Sequence, residues 1–265
     1  MPIFIKKALL SNTPDWFYAL FVNYSNLYRI LFPDTDGIIR VIPHGSHWLV
    51  LRNKLRLLTP TSKWLGVNFK KFEERFEAVL KVERGETVLD VGACIGDTTI
   101  PFAMKVGENG CVIAVEPEPT NITYLKANVR PFKNVHIIEK AAWNRREKVK
   151  LYLHDSPTGH SIVDKFNKYI EVEADTLDNI TKRLTRKIDF LKIDVQGVEL
   201  QVLEGAEKLL ESVNKVVVET HRLADKSTAP EVIEFLVQRN FKIKVFKEKY
   251  QPDNTFLEVV HAWKE

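Results

Sequence analysis

From Phe72 onward two kinds of hydrophobic pattern alternate along the chain. Short runs that are apolar almost throughout stand at Thr87–Val91, Cys111–Val115, Val135–Ile138, Asp189–Asp194 and Lys215–Glu219. Between them, apolar residues recur at helical spacing near Asp97–Val106, Thr120–Arg130, Val198–Leu210 and Pro230–Gln238. Strands without polar alternation are buried on both faces, so the pattern predicts an α/β fold around a doubly wound, mostly parallel sheet. Two last strands, Phe241–Phe246 and Phe256–Trp263, flank a polar loop and are predicted to close the sheet as an antiparallel hairpin. Residues 148–175 interrupt the alternation. There, strands Val149–Leu153 and Tyr169–Ala174 bracket the loop His154–Ser161, read as an insertion over the sheet edge that moves above an acceptor pocket, with His160 and Ser161 as candidate acceptor contacts.

Residues 1–70 have a different texture and are expected to form a small α+β segment that packs on or caps the domain of residues 71–265. Trp16, Phe17, Leu20, Phe21, Tyr24, Leu27, Tyr28 and Leu31 trace a helical stripe, followed by short strands around Ile38–Ile42, Trp48–Leu51 and Leu55–Leu58. The stripe is read as core packing, with a partner, homo-oligomer or membrane-surface contact as the alternative.

With 45% apolar and 28% charged residues, the chain has enough hydrophobic side chains for a sizeable core. Its net charge of +4 is small and scattered, which argues for a solvated basic surface rather than a nucleic-acid partner. Cys94 and Cys111 both lie in apolar runs and form no C-x-x-C, so they read as free thiols, not zinc ligands. No apolar stretch approaches the ~20 residues of a membrane span, and Met1–Leu10 lacks the pattern of a secretory signal. A cytoplasmic location is expected.

The first core strand runs into Asp90-Val91-Gly92-Ala93-Cys94-Ile95-Gly96-Asp97. A glycine turn at this edge lets a ligand approach the backbone. Dinucleotide folds use G-x-G-x-x-G here, because a pyrophosphate sits on the helix amino terminus. In this chain Cys94 replaces the second glycine, and Asp90 brings a carboxylate, which suits a cation. S-adenosylmethionine (SAM) carries an α-ammonium and a sulfonium but no phosphate. Asp90, Gly92, Ala93 and Gly96 are therefore candidate cofactor contacts. Glu116, at the end of the second strand, is placed to accept hydrogen bonds from both ribose hydroxyls. Ala141, beside Ala142, is small enough to border an adenine ring.

The runs ETVLDVGACIGDTT, GCVIAVEPEPTNITYLKANV and VEADTLDNI…IDFLKIDVQGVELQVLEGAEKLL resemble the FkbM-type methyltransferases over roughly Phe72–His221. The resemblance implies a Rossmann-like class I methyltransferase fold, SAM as cofactor and O-methylation, often of sugars or of hydroxyls in secondary metabolites. It implies SAM contacts at Asp90, Gly92, Gly96 and Glu116, and places Lys192, Asp194, Gly197 and Glu199 at the fourth strand's end. Where the family usually has an acid after Asp-Val, this chain has Gln196.

Reactants in such a sheet meet above its carboxyl edge. Asp194 ends an apolar strand there, Lys192 precedes it in the strand, and Glu199 opens the next helix. Glu219 and His221, two apart, share a side of the fifth strand. Methylating an alcohol removes its proton as attack proceeds, which is work for a carboxylate or imidazole. Asp194, His221 and Glu219 are the catalytic candidates, and the choice of base between Asp194 and His221 is left open. Lys192 and Glu199 are candidate acceptor contacts. No metal is assigned, although a divalent ion between Asp194 and Glu219 would serve the same end. A small-molecule or glycan acceptor is expected. The alternatives are an RNA methyltransferase, a non-catalytic SAM- or nucleotide-binding module and, disfavoured by the missing glycine, a nucleotide-dependent oxidoreductase.

Overall fold

The computed structural model describes residues 39–52, 55–61, 69–154, 159–163, 167–223, 226–249 and 256–264, together with Pro14 and Trp16. The aromatic stripe predicted within residues 14–32 otherwise lies outside the described residues, as do positions 155–158 of the insertion loop. The chain divides into two compact units, Met1–Lys71 with Tyr250–Thr255, and Phe72–Lys249 with Phe256–Glu265. In the first unit, β1 (Ile39–His44), β2 (His47–Arg52) and β3 (Leu55–Thr59) form an antiparallel meander. Gly45, at φ +62°, turns the first hairpin, and Val41, Val50 and Leu57 line up as one buried cross-strand row.

The second unit begins within helix α1 (Phe69–Phe76). Its sheet contains β4 (Thr87–Val91), β5 (Cys111–Val115), β6 (Val135–Ile138), β10 (Phe190–Ile193), β11 (Lys215–Thr220), β14 (Lys242–Lys249) and β15 (Phe256–Trp263). The strand order is β14-β15-β11-β10-β4-β5-β6; β15 pairs antiparallel with both β11 and β14, and the rest are parallel. This is the doubly wound sheet with its closing hairpin. Consecutive residues explain why both faces are covered. Val88, Val112, Phe190 and Val217 join one buried cluster with Phe72, Phe76 and Phe102, while Leu89, Ile113, Leu191 and Val218 join another on the opposite face.

The chain winds outward from β4 through α2 (Thr99–Val106), β5, α3 (Pro119–Val129) and β6, then returns to place β10 on the other side of β4. The order reverses between β4 and β10, so the ligand crevice opens above their carboxyl ends. Pro119 starts α3, whose cap is Glu118, accepting from Asn121 N at 2.6 Å.

The insertion forms a separate three-stranded sheet of β7 (Ala141–Ala142), β8 (Glu147–Tyr152) and β9 (Tyr169–Asp175), in the order β7-β9-β8. Helix α4 (Leu177–Thr181) follows it. The single helix predicted over Val198–Leu210 is instead two, α5 (Glu199–Glu204) and α6 (Glu207–Ser212). Gly205 stands between them, where the chain passes so close to Trp143 that a Cβ would stand 2.1 Å from its carbonyl oxygen. The two-residue strands β12 (Arg222–Leu223) and β13 (Lys226–Ser227) lead into α7 (Ala229–Val237).

Candidate active site

The turn after β4 is built by close packing. Gly92 has φ +77°, and a Cβ there would lie 1.8 Å from the Asp194 carbonyl oxygen, so only glycine lets the β4 and β10 strand ends meet this closely. Gly96, at φ +95°, fits against Leu125 of α3. The amides of Gly92 and Ala93 both donate to Val115 O, and Gly96 N donates to Ala93 O. The turn therefore offers a ligand its shape more than its backbone donors.

Asp90 and Lys192, expected to touch cofactor and acceptor, are both fully buried beneath this turn. Lys192 Nζ lies 3.0 Å from Asp90 Oδ1 and donates to Gly92 O at 2.9 Å. Asp90 Oδ2 accepts from Thr98 and Thr99 hydroxyls at 3.0 and 2.7 Å. Burial disfavours the Lys192 cation, but Asp90 and Asp194 more than offset it, so its pKa rises well above the usual range. The pair braces the turn from below, each side chain engaged by protein partners there. Asp97 carries a carboxyl pushed up to about 6, foremost by burial, against the opposing charge of Lys192.

Glu116, at the end of β5, accepts from Cys94 N at 2.9 Å, Glu118 N at 3.1 Å and Asn121 Nδ2 at 3.3 Å. A carboxylate has about four acceptor positions, so three protein donors leave room for one ribose hydroxyl; a second would displace the long Asn121 contact. Burial raises this carboxyl to about 7 despite those hydrogen bonds. Ala141 is not at the crevice surface. It is buried in β7, pairs with Ala174 and packs with Val149, Leu151 and Val172.

Beyond β10, Asp194, Gln196, Glu199, Glu219 and His221 converge. His221 Nδ1 lies 2.8 Å from Glu199 Oε1, and its Nε2 faces Gln196 Nε2 at 2.7 Å and Asp194 Oδ1 at 3.6 Å. Gln196 Nε2 also donates to Asp194 Oδ1 at 3.0 Å. Glu199, expected at the acceptor, is fully buried and accepts from Gly197 N and Thr228 Oγ1, so it orients the imidazole from behind. Burial pulls His221 down, but the hydrogen bond to Glu199 and the charges of Asp194, Glu199 and Glu219 raise it to about 9. Glu219 is lifted to about 7 by burial and by Asp194, against Arg75, which lies 3.4 Å away.

Asp194, Glu219 and His221 present oxygen and nitrogen atoms within 4.8 Å of one another, the spacing of a metal set. Three neighbours already use this space: the Gln196 amide at Nε2, Arg75 on Glu219, and Lys192 4.0 Å from Asp194. Two resident cations weaken any pull on a third, and the set is not assigned to a metal.

Ser161 is tied down. It is buried, and its Oγ donates to Gln196 O at 2.9 Å, so it fastens the insertion to the turn after β10. His160 Nδ1 accepts from His154 N at 3.0 Å, and burial lowers its pKa. Sequence reasoning missed Arg75, which comes from α1, 144 positions before Glu219, and left no local signal. It noted Gln196 only as a departure, although a polar side chain between Asp194 and Gly197 at a strand end was the available clue.

The family model described as Methyltransferase FkbM domain matches residues 90–243, more than half of the chain. The chain belongs to the FkbM methyltransferase domain family. A curated relative from Sulfolobus acidocaldarius, named "Probable cobalt-precorrin-6B C(15)-methyltransferase (decarboxylating)", is 29% identical over 164 residues, covering 60% of this chain and 70% of the relative. Among solved structures, Methyltransferase FkbM from Methylobacillus flagellatus aligns with TM-score 0.53 and 17% identity over 72% of this chain. The chain spans only 47% of that protein's length. Aeropyrum pernix fibrillarin, solved with natively bound SAM, aligns with TM-score 0.50 and 15% identity over 85% of this chain and 99% of its own. These likenesses share the fold.

SAM is the cofactor of the FkbM domain, and the residues fit it. The carboxylates of Asp90, Asp97, Glu116, Asp194, Glu199 and Glu219 outnumber the cationic side chains Lys192, Arg75 and His221 around the crevice. The raised pKa values of Asp97, Glu116 and Glu219 follow from burial first, and Asp97 and Glu219 are raised further by neighbouring acids. Such a crevice favours a ligand carrying ammonium and sulfonium charges.

Proposed function

We propose that this chain transfers a methyl group from SAM to a hydroxyl oxygen of a small-molecule or glycan acceptor, with His221 as the general base. The observation that carries this reading is the 2.8 Å contact between His221 Nδ1 and the buried Glu199, which turns Nε2 toward Asp194 above the strand ends. A carboxylate behind an imidazole fixes the ring and leaves its other nitrogen for proton work. When bound, SAM supplies an activated methyl on a sulfonium that leaves as a neutral thioether. Glu116 holds the ribose, and the Gly92 turn, braced by Asp90 and Lys192, fixes the floor against which donor and acceptor are aligned. The acceptor hydroxyl gives its proton to Nε2 as the new bond forms. Asp194 and Glu199 then stabilise the imidazolium.

A second reading has one observation in its favour. A groove of about 460 Å³ is lined by Lys140, Arg146, Lys182 and Arg183, and its Asp175 is already paired with Lys140 at 2.8 Å. That surplus of cations suits a phosphate-bearing acceptor such as RNA.

The test is transfer of labelled methyl from SAM to a panel of methyl glycosides, free sugars and RNA oligonucleotides, with mass spectrometry of the products. An O-methylated glycoside supports the first reading. Labelled RNA, with activity falling steeply in salt, supports the second, and methylation only at carbon overturns both.

A further inference from the structure

Gln196 stands in an unusual place. Its backbone has φ +56°, in the left-handed region where a side-chain-bearing residue is strained, and glycine follows it at φ +106°. The strained peptide is held from two sides: Ser161 Oγ donates to Gln196 O, and Gly197 N donates to Glu199 Oε1 at 2.8 Å. This conformation directs one amide nitrogen at two partners, Asp194 Oδ1 at 3.0 Å and His221 Nε2 at 2.7 Å.

Those two contacts decide a proton. An ionised carboxylate oxygen only accepts, so the atom facing Asp194 is the NH₂ group and not the amide oxygen. That same NH₂ then meets Nε2, which must offer its lone pair. The ring proton is left on Nδ1, where Glu199 accepts it. Protonating Nε2 would set two donors against each other at 2.7 Å, and turning the amide over would bring its oxygen against Asp194. We propose that Gln196 is a positioning residue that favours the neutral, Nδ1-protonated tautomer of His221, the form able to accept a proton, over the imidazolium and the other tautomer. The inference deepens the reading of His221 as base and rests on it for its functional meaning.

The groups facing His221 work the other way. Glu199 from α5, Asp194 beyond β10 and Glu219 from β11 favour the imidazolium; Lys192 of β10 and Arg75 of α1 blunt the charges of Asp194 and Glu219. The amide opposes this field at Nε2 itself. One part-buried hydrogen bond that only the neutral ring accepts shifts the balance by about one pK unit.

The experiment is an NMR titration of the imidazole nitrogens of the full-length chain without acceptor, with His221 assigned by its loss in His221→Gln. In Gln196→Leu the His221 pKa is expected to rise by about one unit and the preference for the Nδ1-protonated tautomer to weaken. In Gln196→Glu, which keeps the size but adds a carboxylate, the rise is expected to reach about two units or more. Calorimetric affinity for S-adenosylhomocysteine (SAH) stays within about twofold in both, and the acid limb of the kcat profile moves with the pKa. An unchanged pKa and tautomer in either folded variant overturns the proposal. Because the titration needs no turnover, an altered His221 in a chain that methylates no hydroxyl would refute the O-methylation reading and leave the positioning role standing.

Discussion

If His221 is the base, the pH dependence of turnover follows from its surroundings. A ring whose pKa is near 9 is only about 1% neutral at pH 7, so kcat/KM, which reports the free enzyme, climbs about tenfold per pH unit until that value. Asp194 Oδ1 lies 3.6 Å from Nε2, where two unit charges interact by about 4–5 kcal/mol at an effective dielectric of 20. Solvent reaches both side chains and screens this, leaving about one to two pK units. Asp194→Asn is therefore expected to move the acid limb toward lower pH by about that amount. Its plateau falls, because the imidazolium formed in the reaction loses a counter-charge. His221→Gln is expected to erase the limb and reduce kcat by about 10²–10⁴-fold, with SAH affinity nearly unchanged. Initial rates on the best acceptor across the pH range, with calorimetry beside them, measure all of this. An acid limb that survives in His221→Gln, or stays in place in Asp194→Asn, refutes the assignment and moves the base to a carboxylate.

Glu116→Ala removes a charged acceptor from the ribose position and is expected to weaken SAH binding by about 1.5–3 kcal/mol in calorimetry; unchanged affinity would remove Glu116 from the site. Lys192→Met leaves Asp90 buried without its counter-ion and is expected to cost about 3–5 kcal/mol in urea unfolding, whereas a loss below about 1 kcal/mol would refute the brace. Asp97, Glu116, Glu219 and His221 all have folded pKa values raised above their unfolded ones, to about 6, 7, 7 and 9. Each favours folding below its unfolded pKa and loses that contribution as pH rises through the folded value. The ligand-free protein is thus expected to lose thermal stability between about pH 5 and 9; a midpoint rising over that range would contradict the assigned burial.

The sheet was legible because it is buried on both faces. Val-Leu-Asp-Val after Thr87 and Cys-Val-Ile-Ala-Val leave little choice but central parallel strands, and their ends located Gly92 and Glu116 without any contact information. Where the sequence reading went astray, a residue's job depended on something distant in the chain. Gly205 reads as a tolerated helix glycine until Trp143 is seen against it. Ser161, in a loop of polar residues, reads as a candidate acceptor contact, and only the structure shows Gln196 O accepting its hydroxyl hydrogen bond. Asp90 and Lys192, 102 positions apart, both lie at a sheet edge associated with ligands, and nothing local says that they neutralise each other below it.

The same distinction explains how the site divides its labour. Its shape is set by residues fully out of solvent: Asp90 and Lys192 under the turn, Glu199 behind the histidine. Out of solvent, each of these charges is held by several hydrogen bonds or ion pairs, because an unmatched one costs several kcal/mol. Asp194 and His221, the groups proposed to react, are part-exposed, 22% and 17% accessible at their side chains. They share the Gln196 amide nitrogen. Buried carboxylates raise the basicity of His221 and the amide opposes them at Nε2, so that, if His221 is the base, the two set how much of the ring is free to take a hydroxyl proton. A crevice tuned in this way carries an excess of negative charge when empty. The cationic donor relieves that excess on binding, which favours the neutral imidazole at the moment the methyl group is in place.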